Sequence, residues 1–469
     1  MTLAPDIRSR LDAAAAQLNT GLRKLPHQMA AACIAGAYQR YIRYCEDSRQ
    51  WLVWDNTHWR SEKGPAAINA IIVSVVHSHF APMMTSLTPT EHANLLTNGW
   101  LSQVEQQLRL QLPLVCGSAD FDADPWMLGT PRGVIDLRNG RFQKAQPEHM
   151  ISMQAAVDPA PKGTKTPQLS AFLKWMTCNE TEVERFTRMY LGRALVGNNS
   201  DQKMLFMWGD SANGKSVLLR SVALAAGSYH ATATAATFMQ RPGGGHGPNP
   251  NLVKILRARL VTGTEVPKGA EWDNQVIKQI CSDEEIEARR LYENGEGMAP
   301  RCTVALAGND LPTFSGLDDA IKRRFLTMHC KAKRQASEQI ADYGRELFEA
   351  EGPGILRWMI EGALDRHVNG FVIPRAIAEA SQEYFDSEDV LAQFVDENYK
   401  RDPDGSVGTT TMYDNWQQFS KRLGRPRDLT LTAFVLRLHK MGFESGRDSN
   451  RTHRVIKGLA SFTPKDLGL

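Results

Sequence analysis

The sequence lacks most of what would confine it to a specialised class. It has no C-x-x-C pair: Cys33, Cys45, Cys116, Cys178, Cys281, Cys302 and Cys330 are scattered and odd in number. That excludes zinc-finger spacing and a paired disulfide framework, and fits inert thiols in a reducing compartment. The histidines show no metal-ligand spacing and no internal repeat is present. Long apolar runs are missing too. Ile68–Val76, inside an uncharged stretch broken by Pro65, Pro82 and Pro89, is too short to cross a bilayer, and Ser221–Gln240 is too polar. Asp6, Arg8, Arg10 and Asp12 interrupt the first turns of chain, so no signal-peptide core exists and a soluble, cytoplasmic protein without membrane partners is expected. Charge of one sign is not in excess: 55 basic and 52 acidic residues leave +3, too little to name a partner.

What is present is an ordinary globular composition, 42% hydrophobic and 23% charged over 469 residues, enough for about three domains. The charge is uneven. Thr409–Leu469 holds eleven basic and five acidic residues, a local excess of +6, and the remainder is acidic. Trp51–Trp54, Asp55-Asn56 and Thr57–Trp59 read as a hairpin whose tryptophans belong to a domain core, and Gly133–Gly140 as a second strand and turn with Asn-Gly at its tip. Asp158–Pro167 reads as a linker, and Ser170–Val196 as a helical segment. From Lys203 to Cys330 apolar strand-like runs alternate with helical stretches, an α/β layer. Gly354–Leu364 is an amphipathic helix, and Arg401–Gly408 marks another boundary. Beyond it Met412, Trp416, Phe419 and Leu423, then Phe434, Leu436, Leu438 and Met441, recur at helical spacing. Asn450–Lys457 follows as a basic hairpin, so the end of the chain reads as two helices and a wing suited to DNA phosphates through Arg451, Arg454 and Lys457.

The strongest motif is Gly209-Asp210-Ser211-Ala212-Asn213-Gly214-Lys215-Ser216, a complete G-x-x-x-x-G-K-S between the strand Met204–Trp208 and a helix that runs on through Val217. The glycines let backbone N–H groups close around phosphates at a helix N-terminus. Lys215 would neutralise the β- and γ-phosphates of ATP, and Ser216 would hold Mg²⁺. Leu260–Glu265 is a β-run ending in a carboxylate that could polarise water, and reach the Mg²⁺ through water. A third strand, Thr303–Ala307, ends at Asn309, placed to sense the γ-phosphate. Downstream Arg323 and Arg324 could reach a neighbour's ATP, or pair with Asp318 or Asp319. The loop Arg241–Pro250 is glycine-rich and has no site of its own.

Gly209–Ser216 with Glu265, Asn309-Asp-Leu-Pro312 and Arg323-Arg324 resembles the superfamily 3 helicase set, nearest to the phage and plasmid primase-helicases related to the poxvirus enzyme. Trp51–Trp59, Asp122–Pro125 and Gly133–Gly140 resemble that family's helicase-associated N-terminal domain, Gly354–Trp358 its helical lid and Tyr413–Gly458 its terminal winged helix. The resemblance implies an AAA+-type P-loop ATPase core (201–335), an α+β N-terminal domain (1–157), a linker and helical lead-in (158–200), a lid (336–400) and a basic winged-helix module (409–469). It further implies a ring, usually a hexamer, moving 3′ to 5′ on single-stranded DNA, with forked DNA as substrate and a separate primase or initiator as partner. Lys278, Arg289 and Arg290 match the family's DNA-gripping positions. Ser282-Asp283-Glu284 replaces its Gly-Gly-Asp, and Glu293–Gly297, the expected hairpin tip, has no basic residue. No length is left for a primase domain, so priming is not expected. The alternative is an initiator or loader that uses ATP to assemble on DNA without unwinding it.

Overall fold

The computed structural model describes residues 26–62, 64–80, 88–240, 252, 255–264, 266, 269–284, 286–288, 296–314, 316–335, 337, 340–422, 430–448 and 453–462. Its centre is a five-stranded, wholly parallel sheet: β8 (Met204–Trp208), β9 (His230–Thr232), β10 (Leu260–Gly263), β14 (Thr303–Gly308) and β16 (Phe325–His329), in spatial order β16-β8-β14-β10-β9. Strand β8 reads Met-Leu-Phe-Met-Trp because both of its faces are covered. Leu205 and Met207 point into one core with helices α5 (Pro167–Met176), α6 (Thr181–Arg193), α7 (Lys215–Ala226) and α10 (Tyr343–Asn369). Met204 and Phe206 point into the other, with Phe238, Trp272, Phe314, Phe325 and, from α11 (Arg375–Glu388), Tyr384.

The N-terminal region divides differently from the expected 1–157 domain. Helices α1 (His27–Tyr38), α2 (Ala66–Val75), α3 (Pro89–Asn94) and α4 (Asn98–Leu108) accompany a mixed sheet, β3-β2-β1-β4 (Trp59–Glu62, Gln50–Trp54, Ile42–Cys45, Val115–Cys116). The expected hairpin is present as β2–β3, and Trp51 and Trp59 are buried in it, Trp51 donating to Glu105 Oε1 at 2.5 Å. The second sheet, β5 (Met127–Thr130), β6 (Gly133–Asp136) and β7 (Arg141–Gln143), contains the expected Asn-Gly turn. However, its Leu128 and Ile135, with Leu137 and Ala155, lie in the same core as Leu205, Leu218 and Leu260. A boundary at 157 would cut through that core. The supposed linker is docked as well: Ala160 N donates to Pro353 O, and Arg357 Nε donates to Ala160 O.

The helical segment at 170–196 is two helices, α5 and α6, separated where Cys178 and Asn179 adopt positive φ. The amphipathic helix expected at 354–364 is part of the longer α10, which kinks at Glu351, two residues before Pro353. The Glu351 carboxylate accepts from Gln168 N and Leu169 N, satisfying the start of α5.

The boundary expected at 401–408 is a strand. β17 (Tyr399–Gly408) pairs with β19 (Arg454–Ser461), which pairs with β18 (Glu444–Arg447), all antiparallel. The register slips between Arg401 and Ser406, so Pro403-Asp-Gly405 is a bulge and not a link. Helix α12 (Val390–Asn398), assigned by sequence to the lid, shares a core with α13 (Thr409–Arg422) and α14 (Leu431–Lys440) through Phe394, Trp416, Phe434 and Leu438. Leu436, expected inside, is 56% exposed, and Leu423 lies outside the described residues.

Candidate nucleotide site and the opposite edge of the sheet

The loop from Gly209 to Gly214 leaves the carboxyl end of β8 and enters α7. Gly209, Ala212 and Gly214 have φ of +136°, +62° and +87°. Gly214 provides no side-chain cap, and the first N–H groups of a helix have no acceptor within it, so Lys215, Ser216 and Val217 aim a cluster of donors at the space above the loop. That suits a phosphate. Gly209 is required sterically: a Cβ there would lie 2.5 Å from Cys330 O. Lys215 is buried, and Nζ donates to Gly209 O (2.7 Å), Asp210 O (2.9 Å) and Asn213 Oδ1 (2.8 Å). Burial pulls its pKa below the ordinary lysine value, with Cys330 and Asp210 acting in the opposite direction. Ser211 and Ser216 are exposed, and the exposed Asp210 carboxylate lies 3.8 Å from Lys333 Nζ.

Ser216 opens onto a groove of about 410 Å³ that runs past Val217 and Arg220 to Thr262, Gly263 and Thr264 at the end of β10. Glu265 follows Thr264 in sequence but lies outside the described residues. Asn309 is exposed directly after Gly308, whose Cα partner on β8 is Trp208, so Asn309 and Gly209 leave adjacent strands at the same level. Strand β10 is one place further away, beyond β14. The structure also brings to the loop residues that sequence reasoning missed. Phe172 and Trp175 pack on Gly214, Arg334 N donates to Ala212 O, and the Arg334 guanidinium lies 4.7 Å from the Trp175 ring. No motif marks these positions, because α5 and the segment after β16 meet at the loop only in the fold.

Arg323 and Arg324 precede β16, at the amino edge of the sheet, and the five residues of β16 put roughly 16 Å between them and the loop level. They differ from each other. Arg323 is exposed, whereas Arg324 is buried and donates to Cys281 O (2.9 Å) and Ala320 O (3.2 Å). Neither forms the expected pair with Asp318, which instead caps the short helix α9 (Asp319–Lys322) at Ile321 N and binds Lys278 Nζ at 2.5 Å. Lys278, on α8 (Asn274–Ile280), is thus engaged within the chain at this edge. A hairpin of β12 (Ile286–Ala288) and β13 (Glu296–Met298) stands beyond α8 in sequence; Glu296 and Gly297, expected at its tip, are in the strand. Arg289, Arg290 and Arg451 lie outside the described residues, as does the glycine-rich loop 241–250. Arg454 and Lys457 are exposed on β19.

Burial pushes the thiols of Cys281, Cys302 and Cys330 up to about 12, whereas the hydrogen bond between the register partners Cys45 and Cys116 lowers Cys45 and raises Cys116. Among the described residues no cluster of three His, Cys, Asp or Glu could hold a metal, and no helix is long and apolar enough to cross a membrane.

Fold and loop together define a mixed α/β protein on a parallel sheet with a glycine-rich turn at one strand end. The family described as D5 N terminal like matches residues 31–178, extending past 157 through α5. The candidate helicase L207/L206 of Acanthamoeba polyphaga mimivirus is 21% identical over 333 residues, covering 64% of this chain and 34% of that protein. The candidate helicase 022R of Frog virus 3 (isolate Goorha) is 22% identical over 382 residues, covering 64% and 39%. The chain therefore spans little more than a third of those relatives. Two apo structures of the NrS-1 C-terminal region (305–718) share the fold at 11% identity, with TM-scores of 0.51 and 0.50, over 89% of this chain and 96% of that one. Residues 31–178 are thus D5 N terminal like, in a chain similar over 64% of its length to these two viral proteins.

Proposed function

We propose that the protein is an ATP-driven DNA helicase of superfamily 3 with an AAA+-type core, working as a hexameric ring in the replication of a phage, plasmid or integrated mobile element. The observation that carries this reading is the sheet order β16-β8-β14-β10-β9 with G-x-x-x-x-G-K-S between β8 and α7. Lys215 would compensate the β- and γ-phosphate charge, Ser216 would hold Mg²⁺, and Glu265, three residues beyond the groove-lining Thr262, would orient the attacking water. Magnesium would polarise the phosphates when bound. Asn309 would read the γ-phosphate from the neighbouring strand. Arg323 is too far along β16 to serve its own loop, which supports a role at the ATP of an adjoining subunit.

DNA would be gripped at the amino edge by the β12–β13 hairpin with Arg289 and Arg290, and at the C-terminal module by Arg451, Arg454 and Lys457, with α13, α14 and the β18–β19 hairpin acting as a winged helix. Opening DNA costs about 1.4 kcal/mol per base-pair step, so sustained unwinding needs repeated ATP turnover. The deciding experiment is ATP-dependent separation of a forked duplex bearing a 3′ tail, wild type against Lys215→Ala. Separation by the wild type alone is expected. The basic excess of +6 at the C-terminus favours a second reading, an initiator or loader that assembles on DNA beside a separate primase. It predicts ATP-dependent DNA binding with no strand separation on any fork.

A further inference from the structure

An ammonium group has three hydrogens, and those of Lys215 meet three acceptors, all inside its own loop. Two are main-chain carbonyls that any side chain at those positions would supply. The third, Asn213 Oδ1, depends on residue type. Asn213 is 2% exposed, and its Nδ2 donates to Cys330 O at 3.0 Å, just beyond the end of β16. The orientation of this amide is fixed by chemistry, since only its oxygen can face an ammonium and only its nitrogen a carbonyl. The loop is built around the bridge: a Cβ at position 209 would come within 2.9 Å of Asn213 Nδ2 as well as striking Cys330 O. Cys330 N in turn donates to Trp208 O, tying the bridge to β8.

We propose that Asn213 is a positioning residue that parks Lys215 in the nucleotide-free loop, and that an entering phosphate must take the lysine away from it. The inference rests on the reading of this loop as a nucleotide site. With nucleotide absent, the amide satisfies a buried charge and keeps the loop preformed. With nucleotide present, phosphate oxygens replace Asn213 Oδ1, so the bond stabilises the empty state in preference to the filled one. Removing it therefore favours binding.

The test is the affinity for MgADP, which is not turned over, together with the nucleotide-induced rise in melting temperature, for wild type, Asn213→Ala and Asn213→Asp. Asn213→Ala loses the parking bond and is expected to melt lower when empty, to bind MgADP about tenfold tighter, equivalent to about 1.4 kcal/mol, and to show a larger nucleotide-induced rise. Asn213→Asp holds the lysine with a full charge and is expected to bind about tenfold more weakly. If Asn213→Ala does not fold by circular dichroism, the Asp variant and its loss of affinity carry the test. An unchanged affinity in the variants would mean a purely structural amide, and a weaker one in Asn213→Ala would mean a direct nucleotide ligand; either overturns the proposal. No response to MgADP in the wild type overturns the nucleotide-site reading itself.

Discussion

Lys215 and Arg324 are both buried cations that donate to main-chain carbonyls, Lys215 also to Asn213 Oδ1, but different partners stand to replace those bonds. The Lys215 bonds are all within a loop open to a phosphate. Those of Arg324 join Cys281 and Ala320, two points of the chain's own interior. Lys215→Ala is expected to lower DNA-stimulated ATP turnover by about 10²–10³, the scale on which single charge-stabilising donors act, in a steady-state phosphate-release assay. Arg324→Ala should be a stability variant, losing about 1–3 kcal/mol in urea unfolding because carbonyls are left unpaired. Arg323→Ala should change stability by less than about 0.5 kcal/mol while losing turnover, and mixing it with Lys215→Ala subunits should restore part of the activity. The sequence presents the two arginines as equivalent neighbours. Only the alternation of burial along the approach to β16 separates them.

At the scale of elements, α6 and α10 come together with glycines facing backbone. A Cβ at Gly362 would lie 2.0 Å from Arg188 O, and one at Gly192 2.3 Å from Met359 O. Gly362→Ala is expected to destabilise by about 1–3 kcal/mol or more, seen as a lower thermal midpoint with the fold retained. The same helix pair is joined by Asp365 to Arg185 and Arg188. The hydrogen bond from Arg185 holds the Asp365 carboxyl well below the usual carboxylate range. A depressed carboxyl stabilises the folded state above its unfolded pKa of about 3.9, and that contribution is lost as pH falls below it. Asp365→Asn should thus be less stable than wild type at pH 7, with the gap closing under acid titration.

Much of this level was legible in the sequence. The β2–β3 and β6–β7 hairpins announce themselves through Asp-Asn and Asn-Gly turns, and β8 through an apolar run abutting a glycine loop. What was not legible shares one cause, local signals that tertiary pairing overrides. Pro403-Asp-Gly405 looks like a break but is a bulge held by β19, and Cys178-Asn179 ends a helix without glycine or proline. Glu265, the carboxylate on which hydrolysis is proposed to turn, was identified by its place after a β-run rather than by its surroundings.

For the whole molecule, the two edges of the central sheet present different residues: the loop and Asn309 at the carboxyl edge, Lys278 and Arg323 at the amino edge. Truncation should expose how the N-terminal region is shared. A chain begun at 158 loses Leu128, Ile135, Leu137 and Ala155 from the largest core and is expected to aggregate on size-exclusion chromatography. One begun near 118 keeps them and should remain monodisperse.

Arg259, 2% exposed, stands at the foot of β10. Its guanidinium donates to Pro125 O, Met127 O and Leu195 O and lies 4.6 Å from the Tyr229 ring. One side chain thus rivets the strand leading toward Glu265 to the β5–β6–β7 sheet and to the end of α6. Pulling it free would bury an unpaired cation, a cost of several kcal/mol. The small sheet therefore travels with the strand as ballast, and a displacement of either one carries the other with it.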